Sequence, residues 1–199
     1  MIMLLIGFAQ FAFLSYLPAL ALGYDGAMNS GISVVPLMLP YVLLGAASGF
    51  LALRFGSRVL AIFASVGTVV ASATVALSGA IPGLFAGALI MGIALAMTMI
   101  PMLLICQHVA PAQDVGSATS LPVLTRNFGG ALGAAVIAVT ADALIPNGGT
   151  MAEGLAPAFW VIAAVGLLAL IPAILLPRRA AEKKLIAERE AIAAHASHV

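Results

Sequence analysis

Six long apolar runs, at about residues 2–22, 30–53, 58–79, 82–106, 115–142 and 156–176, leave little chain between them. Each is close to the roughly 20 residues that an α-helix needs to cross about 30 Å of hydrocarbon. A water-soluble domain needs charge along its whole length to make a surface, whereas here 8% of residues are charged and 63% are hydrophobic. The fold class expected is therefore all-α. It is a polytopic membrane bundle of six transmembrane helices over residues 1–177, followed by a charged tail at 178–199. The lipid bilayer is the first partner this implies.

The stretches GYDGAMNS, RFGSR, SGAIPG, QHVAPAQD and PNGGTMAEG separate the spans. Pro36, Pro40, Pro101, Pro122 and Pro172 fall inside them, which membrane helices tolerate when neighbours satisfy the freed carbonyls. Arg54 and Arg58 lie in the second loop, and Arg178, Arg179, Lys183, Lys184 and Arg189 in the tail. With six spans these positions share one side, and the positive-inside rule makes it cytoplasmic, with both termini there. The opposite loops carry only the acids Asp25 and Glu153, with Asp142 at a helix end. A multi-pass protein of the cell membrane is expected. The apolar opening MIMLLIGFAQFAFL lacks the basic region of a signal peptide and is read as a retained span.

The charge of +1 offers no surface for nucleic acid. One cysteine, Cys106, excludes an internal disulfide, and without a Cys/His cluster no metal site is expected. Ser48 and His108 near one membrane face raise the thought of a serine hydrolase, but neither a base in reach nor an oxyanion site is legible, so no enzyme is expected. Gly45-x-x-x-Gly49, Gly83-x-x-x-Gly87 and Gly129-x-x-x-Gly133 are spaced for close helix packing. Met91, Met97, Met99 and Met102 in the fourth span suit either gap-filling or a soft substrate lining.

One charge lies inside a span. Asp114 and Asp142 bracket about 28 residues, or about 42 Å of helix, and Arg126 sits about 18 Å from one end and about 24 Å from the other. At 100° per residue Thr119, Pro122, Arg126, Gly129, Gly130, Gly133 and Thr140 gather on one side, and Leu121, Leu124, Phe128, Leu132 and Val139 on the other. The small, polar side is expected to face protein or water. A charge at the bilayer centre costs about 2.5 to 3.5 kcal/mol and commonly marks a substrate or ion path, although an arginine can also snorkel or tie a kinked neighbour. Arg126, Asn127, Thr119 and Gly130 are the candidate substrate-cavity residues. No span holds a carboxylate in its interior, so proton coupling would need acids from another segment.

The second loop reads Gly49-Phe50-Leu51-Ala52-Leu53-Arg54-Phe55-Gly56-Ser57-Arg58. It resembles the loop signature G-x-L-x-D-R-x-G-R-R of the major facilitator superfamily, in the copy between the second and third helices of the C-terminal half. Gly49, Arg54, Gly56 and Arg58 match this gating-loop motif; Leu53 replaces the acid and Ser57 the penultimate basic residue. Gly116-x-Ala118, Arg126-Asn127-x-Gly129-Gly130 and Gly133 are similar to the corresponding helix in the fourteen-spanning drug:proton antiporters, as is the stretch SYLPALALGYDGAMNSGISVVPLMLP. The resemblance implies the C-terminal six-helix half of a multidrug-type exporter of hydrophobic or amphipathic small molecules, driven by a proton gradient, with no cofactor. An N-terminal half or a second chain would supply the carboxylates. A half-size or non-transporting subunit that acts by packing against a partner remains the alternative.

Overall fold

Each apolar run folds as one helix in the computed structural model, which describes residues 1–25, 31–78, 80–110, 114–145 and 151–176. The helices are α1 (Ile2–Asp25), α2 (Val35–Phe55), α3 (Ser57–Ser78), α4 (Ile81–Val109), α5 (Val115–Leu144) and α6 (Met151–Leu175). All six are long and apolar enough to cross a membrane, and no strand occurs among the described residues. The all-α, six-helix class read from hydropathy is what forms. The tail expected at 178–199 lies outside the described residues, with most of the first and fifth loops.

Local chemistry sets the helix ends. α2 starts at Val35 because Pro36 occupies its first turn, where a missing N–H costs nothing. α6 starts at Met151 and places Glu153 in its first turn, where a carboxylate complements the helix dipole. Gly56 separates α2 from α3 at φ 85°, ψ 152°, a conformation essentially confined to glycine, while its N–H donates to the Ala52 carbonyl at 2.8 Å. One residue thus turns the chain between two membrane helices.

Packing places the helices in two layers. α2 lies on α4, α4 touches α1, and α1 lies on α5, so α2, α4, α1 and α5 form a front row. Behind it α3 and α6 pack on each other, α3 against α4 and α6 against α1. Exchanging α1–α3 for α4–α6 converts the α1–α5 contact into α4–α2 and α1–α6 into α4–α3, and returns α3–α6 to itself. Because each repeat holds three spans, the second runs opposite to the first; this is the inverted-repeat symmetry of many secondary transporters.

The core sits where the layers meet. Phe13 of α1 and Phe159 of α6 are fully buried with ring centroids 5.2 Å apart, edge to face at 85°. Leu17, Leu84, Met91, Leu155 and Ile162 complete that cluster. On α3, Ser65, Thr68 and Ser72 donate to carbonyls one turn back at 2.8 to 2.9 Å, so hydroxyls enter the interior already satisfied. Met91, Met97 and Met102 are also buried, and Met99 is half-buried.

Candidate functional site

Glycine decides how closely α5 approaches α1. A Cβ added at Gly129 would overlap the carbonyl oxygen of Leu4, one at Gly133 that of Phe8, and one at Gly7 that of Arg126. Backbone meets backbone here, and only residues without a side chain allow it. Gly130 lies under the Phe11 ring, at 2.6 Å for a hypothetical Cβ. Tyr16 adds a polar tie, its hydroxyl donating to the Ala134 carbonyl at 2.8 Å. The pseudo-symmetric seam repeats the device: a Cβ at Gly92 of α4 would overlap the Leu37 carbonyl oxygen of α2.

This contact brings Phe11 beneath Arg126. The guanidinium lies over the ring at 4.7 Å from its centroid, a cation–π geometry. Tyr41 of α2 lies within electrostatic range of the same group. Arg126 is half-buried, and its Nε is enclosed with no hydrogen-bond partner among the described residues. The helix faces are those read from periodicity: Gly129, Gly130 and Gly133 are buried, whereas Leu121, Leu124, Phe128 and Val139 are exposed. α2 and α5, at the two ends of the front row, do not pack substantially on each other.

The remaining candidates separate. Asn127 is exposed beside Arg126, while Thr119 turns its hydroxyl back to the Val115 and Gly116 carbonyls at 2.9 Å, about two turns away along α5. Gly130 contributes space for Phe11. In the loop motif Arg54 is exposed, its guanidinium 5.7 Å from the centroid of the adjacent Phe55 ring, while Gly56 is buried and Arg58 half-buried. Gly45 meets nothing within 4 Å, so it lacks the contact that Gly129 and Gly133 make.

A second polar contact escaped the sequence reading. Gln10 of α1 and Thr98 of α4, each 2% exposed, meet where the two repeats touch: Gln10 Nε2 donates to Thr98 Oγ1 at 3.2 Å, and Thr98 donates to the Ala94 carbonyl at 2.9 Å. Gln10 Oε1 is buried without a partner among the described residues. The available signal was that Gln10 is the sole amide in its span. Phe11 and Tyr41 gave no comparable one, since aromatic residues are unremarkable in an apolar helix.

Ser48 donates its hydroxyl to the Gly45 carbonyl at 2.6 Å, a helix-internal bond, and the His108 side chain lies outside the described residues. No group of three His, Cys, Asp or Glu that could hold a metal converges among the described residues.

No curated protein sequence matches the chain. Among solved structures it is similar to the inward-open xylose transporter XylE from Escherichia coli, with a TM-score of 0.72 over 94% of this chain at 18% identity. That likeness is one of fold, and the chain spans about half (50%) of that transporter. The model of the Major Facilitator Superfamily, whose members are carriers and not enzymes, matches residues 1–134, from α1 past Arg126 into the glycine seam of α5. With two thirds of its length so matched and its helices in the arrangement of such a transporter, this multi-pass membrane protein belongs to the Major Facilitator Superfamily.

Proposed function

We propose that the chain is the C-terminal half of a secondary active transporter that exports hydrophobic or amphipathic small molecules, multidrug fashion, in exchange for protons. The observation that carries this reading is the half-buried Arg126, set over Phe11 in a membrane-spanning helix with its Nε unpartnered among the described residues. A cation at that depth needs a counter-charge or a polar ligand. No carboxylate lies in the interior of a span of this chain, so a six-helix partner half supplies the acids for proton coupling, and substrate binds between the halves. Arg126 either contacts substrate or pairs with one of those acids, with Asn127 beside it. The sequence likeness to drug:proton antiporters supports the substrate class; xylose belongs to the solved relative.

The protein lies in the cell membrane with both termini cytoplasmic, on the side of Arg54 and Arg58. Exposure supports a partner half: only 17% of the α2 span is buried, against 59% of the α4 span, so one side of the front row is left for another helical layer. That same exposure favours, as the second reading, a half-size subunit that packs against a separate chain.

Size and transport test the two readings. An immunoblot of native membranes against residues 180–199 gives a band of about twice this length or more for a half of one transporter, and a band of this length for a subunit. In the complete protein Arg126→Ala lowers efflux of an amphipathic dye at equal abundance, while xylose flux stays at background. Unchanged efflux in Arg126→Ala refutes the role of the arginine, and unchanged efflux with altered abundance favours the packing subunit.

A further inference from the structure

α2 and α3 diverge from the Gly56 turn and leave an open crevice of about 360 Å³ floored by α4. Its walls are Leu51 and Phe55 of α2, Val59, Leu60 and Phe63 of α3, and Met97 of α4, and no polar atom lines it. Phe55, Val59 and Phe63 are more than half exposed, whereas Leu60 and Met97 at the floor are buried. Phe63 lies about 9 Å along α3 from its first residue, so the crevice runs from the membrane interface into the hydrocarbon.

Two basic residues of the α2–α3 turn flank it among the described residues. Arg54 is exposed with its guanidinium against the Phe55 wall, and Arg58 immediately precedes Val59. Neither faces a carboxylate in its own loop, because Leu53 and Ser57 occupy the positions beside them.

We propose that this crevice is a binding site for an anionic phospholipid of the adjoining leaflet, one acyl chain lying along the apolar walls and the phosphate held by Arg54 and Arg58. The lining favours hydrocarbon over water, because an apolar cavity offers water no hydrogen bonds. The arginines select the headgroup: each basic side chain near the surface is worth about a factor of five toward anionic lipid, or about 25-fold for the pair. The site is independent of Arg126 and of the substrate class.

Native mass spectrometry of the complete protein, released from micelles containing palmitoyl-oleoyl phosphatidylglycerol or the matching phosphatidylcholine, tests both parts. The expected result is one retained lipid with a preference for phosphatidylglycerol of about 25-fold. Arg54→Gln with Arg58→Gln brings that preference close to one while phosphatidylcholine retention stays unchanged, and Arg54→Lys with Arg58→Lys keeps most of it. Val59→Trp, at a position already half exposed, fills the crevice and lowers retention of both lipids; Phe63→Trp is the second filler should the first disturb folding, judged by size-exclusion profile. Equal retention of the two lipids by the wild type, an undiminished preference in the glutamine variant, or undiminished retention in a folded filler variant overturns the proposal.

Discussion

The hydrogen bond between Gln10 and Thr98 joins the two repeats, and its worth is measurable. Gln10 Nε2 reaches Thr98 Oγ1 at 3.2 Å, at the long end for such a bond, and both residues are 2% exposed. Polar bonds between membrane helices average about 0.6 kcal/mol, with a maximum near 1.7. Thr98→Val keeps the shape but removes the acceptor, and Gln10 Oε1 is already unpartnered, so the whole amide is then stranded in the interior. Leaving a buried polar group unsatisfied costs about 1 to 3 kcal/mol, which sets the expected loss for this variant. Gln10→Met removes the stranded oxygen together with the donor at similar volume, so its effect is within about 1 kcal/mol of zero. Adding Thr98→Val to Gln10→Met then costs little more. A double-mutant cycle on the unfolding of the protein in mixed micelles measures the coupling, expected at about 1 to 3 kcal/mol. Equal costs for Thr98→Val in both backgrounds would show that the bond contributes nothing, and a larger loss for Gln10→Met than for Thr98→Val would refute the ordering.

The glycine seams give a second expectation: Gly129→Ala or Gly133→Ala forces α1 from α5 and costs about 1 to 3 kcal/mol, while Gly45→Ala, which meets nothing within 4 Å, changes stability by less than about 0.5 kcal/mol, all read from thermal denaturation in detergent. Similar losses at all three positions would contradict the geometry. For orientation, a thiol introduced as Arg54→Cys in a Cys106→Ser background is labelled by a membrane-impermeant maleimide only from the cytoplasmic side; labelling from outside reverses the topology.

The fold was legible because crossing a bilayer demands length and hydrophobicity, which composition reports without any knowledge of neighbours. The same simplicity hid the interior. Gly45-x-x-x-Gly49 and Gly129-x-x-x-Gly133 have the same spacing, yet Gly129 and Gly133 meet the backbone of α1 while Gly45 faces open space. Spacing describes one helix, and packing belongs to two. The periodicity of α5 did separate the faces of Arg126 and Leu124, since rotation about a helix axis is local. It did not identify Phe11, more than a hundred residues earlier, as the partner of Arg126, nor pair Gln10 with Thr98. The apolar run from residue 30 leads into α2 through a turn at Ser33 and Val34, and Pro36 occupies the first turn of the helix.

The environment of Arg126 shows why these buried details matter for function. Gly7, Gly129 and Gly133 let the helices approach, and Gly130 leaves the space in which the Phe11 ring sits under the guanidinium. A desolvated cation–π contact returns about 2 kcal/mol, against about 2.5 to 3.5 kcal/mol for placing the charge at the bilayer centre. The ring therefore offsets much of the cost and leaves a remainder, consistent with the enclosed Nε that has no partner among the described residues. An arginine fully neutralised within its own half would have nothing further to gain from a ligand or an opposing acid, and one left bare would not persist there. Partial compensation holds the charge in place while preserving the incentive to bind whatever approaches the front row. Lysine cannot substitute fully, because its compact ammonium lacks the planar face that stacks on Phe11. Arg126→Lys should therefore keep the charge yet lose part of the transport activity, and full activity in that variant would show that charge alone is what the site uses.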